Sequence, residues 1–283
     1  MKYIRLLYRF SRKLNPHIKN FAKFRRKLIY TGKDGISWSL NRRLSLDVLL
    51  EKNLGVYHAR MDDVLSSCAP NSTAIDVGAN AGYWTIPMAY YFDKVIAFEA
   101  NPIEFSRLVK YITLNKKMAT KISPYNLAIS DSAGLVNLDI RKSVDGDALL
   151  NTGLSSIIEG NSSKLKIQID STSLDIMLET RSSAIGLIKI DVEGAEFLVL
   201  KGGQEIIAND KPIIFWEAAY SLDLENSRDN VLNCFLFLQG IGYKSWLINR
   251  EMQFELVKEF REIAELGYDV DVVSVFAEYN NFG

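Results

Sequence analysis

Cysteine and histidine are scarce in this chain: Cys68 and Cys234, His17 and His58 make up the whole supply. Two cysteines cannot build a disulfide framework, and without a CxxC or HExxH pattern a classical zinc site is disfavoured. No apolar run approaches the roughly 18 residues of a membrane span. The first residues lack the uninterrupted apolar core of a signal peptide, so a reducing, cytoplasmic location is the expectation. Net charge is missing too. The 34 basic and 34 acidic residues cancel, which disfavours a globally basic nucleic-acid binder. What is present is an ordinary globular composition, 48% hydrophobic and 24% charged over 283 residues. That is enough chain for one large α/β domain or two small ones.

The cancelled charge is unevenly spread. Residues 1–30 carry ten basic residues, from Lys2 to Lys27, and no acid. On a helical wheel Lys2, Arg5, Arg9, Arg12 and Lys13 share one arc, and Tyr3, Ile4, Leu6, Leu7, Tyr8, Phe10 and Leu14 the other. Pro16 interrupts the pattern. Residues 1–35 therefore read as a basic amphipathic segment. One use for it is peripheral contact with an anionic membrane, on the inner face, or with an acidic partner; the other is packing on its own domain. Residues 36–70 read as a helical lead-in, with helices around Leu46 to Leu54 and Ala59 to Ser67.

From residue 71 to 283 the texture changes. Short apolar runs at Ala74–Val77, Val95–Phe98, Ile122–Ile129, Leu187–Val192 and Ile213–Trp216 read as buried strands. Helix-length patterns at Tyr83–Tyr91, Pro102–Leu114, Ala195–Lys201 and Arg228–Gln239 alternate with them. This is the signature of βαβ units and a parallel sheet. Ser245–Ile248 and Asp271–Phe276 add two more strands. Between Arg141 and Lys164 the chain is rich in Ser, Asn, Gly and Asp, a long connection of the kind that is usually functional.

Four strand ends carry the chemistry. In Asp76-Val77-Gly78-Ala79-Asn80-Ala81-Gly82 a strand enters a tight turn and a helix start. Glycines there admit backbone conformations and close approaches that a Cβ would block, so Gly78→Val should abolish ligand binding and leave the fold standing. The spacing is neither G-x-G-x-x-G nor a Walker loop. The aspartate before the turn suits a ligand with an ammonium group and repels a pyrophosphate. Glu99 ends the next strand, where a carboxylate can accept both ribose hydroxyls of an adenosine cofactor. Further on, Lys189, Asp191, Glu193 and Glu196 cluster at the end of a buried strand, and Glu217 ends another. Acids at that edge of an α/β sheet stand where ligands bind; Glu193 and Glu196 also suit a helix N-terminus. A buried Lys189 needs a partner.

These stretches, with Phe98-Glu99-Ala100-Asn101-Pro102, Leu127-Ala128-Ile129-Ser130, Ser173-Leu174-Asp175 and Lys189-Ile190-Asp191-Val192-Glu193-Gly194-Ala195-Glu196, resemble the FkbM family of S-adenosylmethionine (SAM)-dependent methyltransferases. The likeness runs from Thr73 to Glu217. It implies a class I, Rossmann-like α/β fold: a seven-stranded, mostly parallel sheet with helices on both faces and the last strand antiparallel. It implies SAM held by Asp76, Gly78, Asn80, Gly82 and Glu99, with Ala128 and Asp131 on the adenine side. It further implies O-methylation of a small-molecule or glycan acceptor, such as a sugar, glycoconjugate, polysaccharide precursor or polyketide. A hydroxyl acceptor must lose a proton, so a base or a metal is wanted. Asp191 is the expected base, Glu217 its alternative, and the pair would be the ligands of Mg²⁺ if a metal takes part. Lys189 would hold Asp191 ionised or lower the acceptor's pKa. Asp145, Asp147, Asn151, Ser155 and Ser156 would hydrogen-bond a polyol, and Trp216 and Tyr220 would face a sugar ring. The rival classes are a nucleotide-binding oxidoreductase, an RNA ribose methyltransferase on the same fold, and a non-catalytic binding module.

Overall fold

The computed structural model describes residues 28–31, 35–40, 64–68, 72–140, 156–157, 165–218, 227–249, 253–266 and 269–277. The described residues open with a two-stranded antiparallel ribbon, β1 (Leu28–Thr31) and β2 (Ser37–Leu40). An alternating stretch follows: β3 (Thr73–Val77), α1 (Thr85–Tyr91), β4 (Lys94–Phe98), α2 (Pro102–Leu114), α3 (Lys116–Ala119) and β5 (Ile122–Tyr125). Then come β6 (Ala128–Ile129), β7 (Gly134–Ile140), β8 (Leu165–Thr172), α4 (Leu174–Met177) and β9 (Ile185–Ile190). The last part holds α5 (Glu196–Gly202), α6 (Gln204–Asp210), β10 (Ile213–Ala218), α7 (Ser227–Gly240), β11 (Tyr243–Ile248), β12 (Phe254–Val257), α8 (Phe260–Ala264) and β13 (Val270–Phe276).

The main sheet has eight strands in the order β12-β11-β13-β10-β9-β3-β4-β5. The run from β10 to β5 is parallel, and β13 inserts antiparallel between β10 and β11. Seven of these strands are the expected sheet with its last strand reversed. The eighth, β12, is an edge strand folded back on β11. Period-two alternation sorts the side chains onto two faces. Ala74, Val95, Leu187 and Phe215 pack with Ile86, Met88 and Leu108 on one side. Ile75, Ile96, Ile188 and Trp216 pack with Val199, Ile207 and Leu238 on the other. Helices therefore cover both faces.

Three expected elements differ. Ile122–Ile129 is two strands: β5 joins the main sheet, while β6 turns away to pair with β8 in a three-stranded sheet with β7. Pro124 has no N–H to extend a ladder and sits in β5, at the edge of the main sheet. The strand expected over Leu187–Val192 ends at Ile190, leaving Asp191 in the loop beyond it. The lead-in expected to be helical begins with a strand, β2, whose Trp38 lies in the core; a helical turn is present at residues 64–66, and residues 41–63 lie outside the described residues. The basic segment 1–27 and most of 141–164 lie outside them too, although Ser156 is described: it is buried and pairs with the backbone of Asp139. Among the described residues no helix is long and apolar enough to cross a membrane.

Candidate active site

Register assembles the site. Asp76 on β3 lies opposite Lys189 on β9, and Lys189 lies opposite Phe215 on β10. Alternation places Asp76, Lys189, Asp191, Phe215 and Glu217 on the face that α1 covers. Lys189 is buried, and its Nζ sits 2.8 Å from the Gly78 carbonyl, 3.3 Å from Asp76 Oδ1 and 3.3 Å from Asp191 Oδ2. A buried ammonium is tolerable only when so surrounded. The fully buried Asp76 accepts a second contact at Oδ2, from the Thr85 hydroxyl at 2.6 Å. Lys189 thus ties the glycine turn to both aspartates, from beneath.

The turn itself is bent by positive φ at Gly78, Asn80 and Gly82, with values of 78°, 50° and 93°. The backbone amides of Gly78 and Ala79 both donate to the Phe98 carbonyl, each at 3.0 Å. A Cβ built on Gly78 would lie 1.8 Å from the carbonyl oxygen of Asp191. A side chain there was expected to block the turn conformation and the ligand and to leave the fold standing; it also collides with the backbone that carries Asp191. Glu99 is held at the end of β4 by two amides, Asn80 N–H at 2.6 Å and Asn101 N–H at 2.7 Å. Burial pushes its carboxyl up to about 7, against the pull of those two hydrogen bonds. Asn126, not foreseen from the sequence, donates to the Glu99 and Ala100 carbonyls and ties the segment after β5 to the end of β4.

Past β9 the chain turns sharply, with φ of 55° at Glu193 and 104° at Gly194. The turn is braced by Glu196, whose Oε1 accepts from Val192 N–H and Gly194 N–H while Oε2 accepts from Asn230. Glu196 is fully buried, so its role is structural. The brace leaves Asp191 at the sheet edge with its side chain 37% exposed. Carboxylate oxygens of Asp191, Glu193 and Glu217 lie within 4.8 Å of one another. Burial first, then repulsion from Asp191, Glu193, Asp271 and Asp269, pushes the Glu217 carboxyl well above the usual range. Asp271 faces Glu217 across the β10–β13 ladder. Glu193 was expected in the cluster with Asp191; Asp269 and Asp271 were not foreseen as companions of the pair, because only strand order and register bring them there.

Residues 76–270 match the model of the Methyltransferase FkbM domain.

The chain belongs to the FkbM methyltransferase family.

Methyltransferase sdnD of Sordaria araneosa is 26% identical to it over 166 residues, which is 50% of this chain and 64% of that protein's length. Solved structures show the same general similarity at low identity. The FkbM methyltransferase of Methylobacillus flagellatus KT shares 17% identity, covering 72% of this chain and 43% of that one, with a TM-score of 0.46. SMU.1697c of Streptococcus mutans, solved with S-adenosylhomocysteine (SAH), shares 12% over 77% of this chain and 96% of its own, with a TM-score of 0.43.

Within this FkbM domain the turn fits an adenosine-bearing cofactor: a bent backbone, a carboxylate at its end, and a buried aspartate before it. Other expected contact residues have partners within the fold. Ala128 is buried in β6, paired with Ser171 of the small sheet. Asp131 is engaged by Lys201 Nζ at 2.8 Å, a hydrogen bond that holds its carboxyl below the usual range. Trp216 cannot face a sugar: it is fully buried on the opposite face, its indole donating to Ser274 Oγ at 3.1 Å. Tyr220, Asp145, Asp147, Asn151 and Ser155 lie outside the described residues.

Proposed function

We propose that this FkbM-family chain transfers the methyl group of SAM to a hydroxyl of a sugar, glycoconjugate or polysaccharide precursor, with a polyketide-type product as the second acceptor class. One observation carries the reading: Asp191, open to solvent, is fastened to the cofactor turn both through Lys189 and through the packing of its carbonyl on Gly78. A proton acceptor and a cofactor cradle are thereby fixed in one frame.

Asp76, Gly78, Asn80, Gly82 and Glu99 would hold SAM, with the Ala128–Asp131 stretch beside its adenine. Bound SAM supplies a methyl group on a sulfonium, which needs little acid assistance to depart. The chain's own task is then to position an acceptor hydroxyl and take its proton. Asp191 accepts that proton at its exposed carboxylate. Lys189, shut beneath the turn, cannot reach the acceptor; it balances the charges of Asp76 and Asp191 and fixes their spacing. Glu217, raised above the usual range, retains a proton to higher pH than an ordinary glutamate and offers a hydrogen-bond donor beside Asp191.

The three carboxylates within 4.8 Å favour a second version of the same reaction. Asp191, Glu193 and Glu217 fit a hard divalent cation such as Mg²⁺, which prefers oxygen ligands and would acidify the acceptor hydroxyl. An RNA acceptor is disfavoured by the 34 acids set against 24 basic residues beyond residue 30. The basic segment 1–30 is proposed to hold the enzyme on the inner face of an anionic membrane. The test is a SAM-binding measurement followed by a screen of sugar and glycoconjugate hydroxyls, with and without EDTA. Binding of SAM without methyl transfer to any acceptor would support a non-catalytic module; binding of NAD in place of SAM would return the oxidoreductase reading.

A further inference from the structure

We propose that Trp38, upstream of the region matched by the FkbM domain, is a positioning residue for the cofactor turn. The inference rests on the SAM-binding reading above. It starts from the way the ribbon strand β2 is fastened. Ser37 N–H donates to Asn115 Oδ1 at 2.8 Å, and Asn115 Nδ2 returns a bond to the Ser37 carbonyl at 2.9 Å and another to the Tyr111 carbonyl at 2.8 Å. This two-way amide clamp at the end of α2 sets the depth of Trp38, which is fully buried.

The Trp38 ring lies 5.2 Å from the ring of Tyr83, tilted at 37°, and 5.4 Å from that of Tyr111, edge-on at 89°. Tyr83 directly follows Gly82, the last residue of the turn, and its hydroxyl accepts from Arg107 at 3.2 Å. The ring of Tyr83 is therefore held by Trp38 from β2 and by Arg107 from α2. Asn80, whose amide grips Glu99, is only three residues back. Gly82 is packed tightly as well: a Cβ there would lie 2.7 Å from Leu108 of α2. Where Tyr83 sits fixes where the turn ends and where its amides point.

The indole is an expensive way merely to fill space here. Its Nε1 is buried and has no hydrogen-bond partner among the described residues, and an unpaired buried donor opposes folding. A phenylalanine would avoid that penalty but could not reach both tyrosines with so large a face. The reach of Trp38 across Tyr83 and Tyr111 is what a positioning role requires.

Calorimetry with SAM on the full chain tests this, using Leu238→Ala as the reference. Leu238 is equally buried but packs on the far face of the sheet. Both Trp38→Ala and Leu238→Ala should lower the melting temperature. Only Trp38→Ala should raise the Kd for SAM, by about tenfold or more, the scale seen when a supporting outer residue is removed. Trp38→Phe should raise it by about threefold, and it decides the matter if the alanine variant does not fold. A Trp38 variant that folds and binds SAM as tightly as Leu238→Ala does overturns the positioning role and leaves the SAM reading intact. A wild-type chain that does not bind SAM overturns both.

Discussion

Asp191 is the side chain whose loss should harm chemistry more than binding. Asp191→Asn keeps the volume and removes the proton acceptor, so turnover should fall by about 10²–10⁴ while calorimetry reports an unchanged Kd for SAM. Near-normal turnover would move the base to Glu217. Because the Glu217 carboxyl already holds its proton high, Glu217→Gln should cost less, unless EDTA silences the wild type and Mg²⁺ restores it. Glu99 makes a prediction in pH. Its carboxyl stands at about 7 in the fold against 4.5 for the ordinary group. A raised carboxyl stabilises the fold fully below the unfolded value, and that contribution is lost as pH rises through about 7. The ribose hydroxyls of SAM want the opposite, an ionised acceptor. From pH 8 to pH 6 the ligand-free melting temperature should therefore rise while the increment added by SAM shrinks, and Glu99→Gln should flatten both trends. Flattening of neither would remove Glu99 from the ribose. Asp76, Gly78, Glu99 and Asp191 were legible in the sequence because each sits within a few residues of a strand end. Thr85 beneath Asp76 and Asp271 opposite Glu217 were not: their partners depend on how helix and strand return to the sheet.

The connection between β9 and α5 shows how an element end is made rigid enough for chemistry. Its amides at Val192 and Gly194 converge on one buried carboxylate, Glu196, and Asn230 of α7 links that carboxylate to Phe197 N–H. Asn230→Ala leaves a buried charge short of a donor, so urea unfolding should show a loss of about 1–3 kcal/mol. Turnover should drop with it, since the same turn presents Asp191; an unchanged urea midpoint would refute the brace. The strands of the main sheet could be read in advance because strands buried on both faces leave continuous apolar runs. The break after Tyr125 could not. Ile122 to Ile129 is apolar at both ends, and only the pairing of Ala128 with Ser171 shows that the chain has left one sheet for another. β8 alternates exposed with half-buried residues from Lys166 to Asp170, and β7 starts out largely exposed, patterns too weak to stand out beside a polar connection.

Charge divides the whole chain as sharply as the fold does. Ten positive charges precede Leu28, where the ribbon begins. Removing residues 1–27 should leave SAM affinity unchanged and abolish binding to anionic vesicles. Wild-type binding to those vesicles should weaken with salt, as the Debye length shortens from about 8 Å near physiological ionic strength. If the truncated chain unfolds and the wild type ignores vesicles, the segment is part of the fold. The boundary matters, since cutting past Leu28 would remove the partner strand of Trp38. The contact between Gly78 and the Asp191 carbonyl has a different reach. It joins the turn proposed to receive the cofactor to the loop proposed to carry the base, with no room for even a methyl group. Neither can drift without the other, so this joint should tolerate no side chain at Gly78 in a mutant library. A change of acceptor must then be sought away from this joint. Diversification confined to Gly78 and its neighbours should return inactive, poorly folded clones.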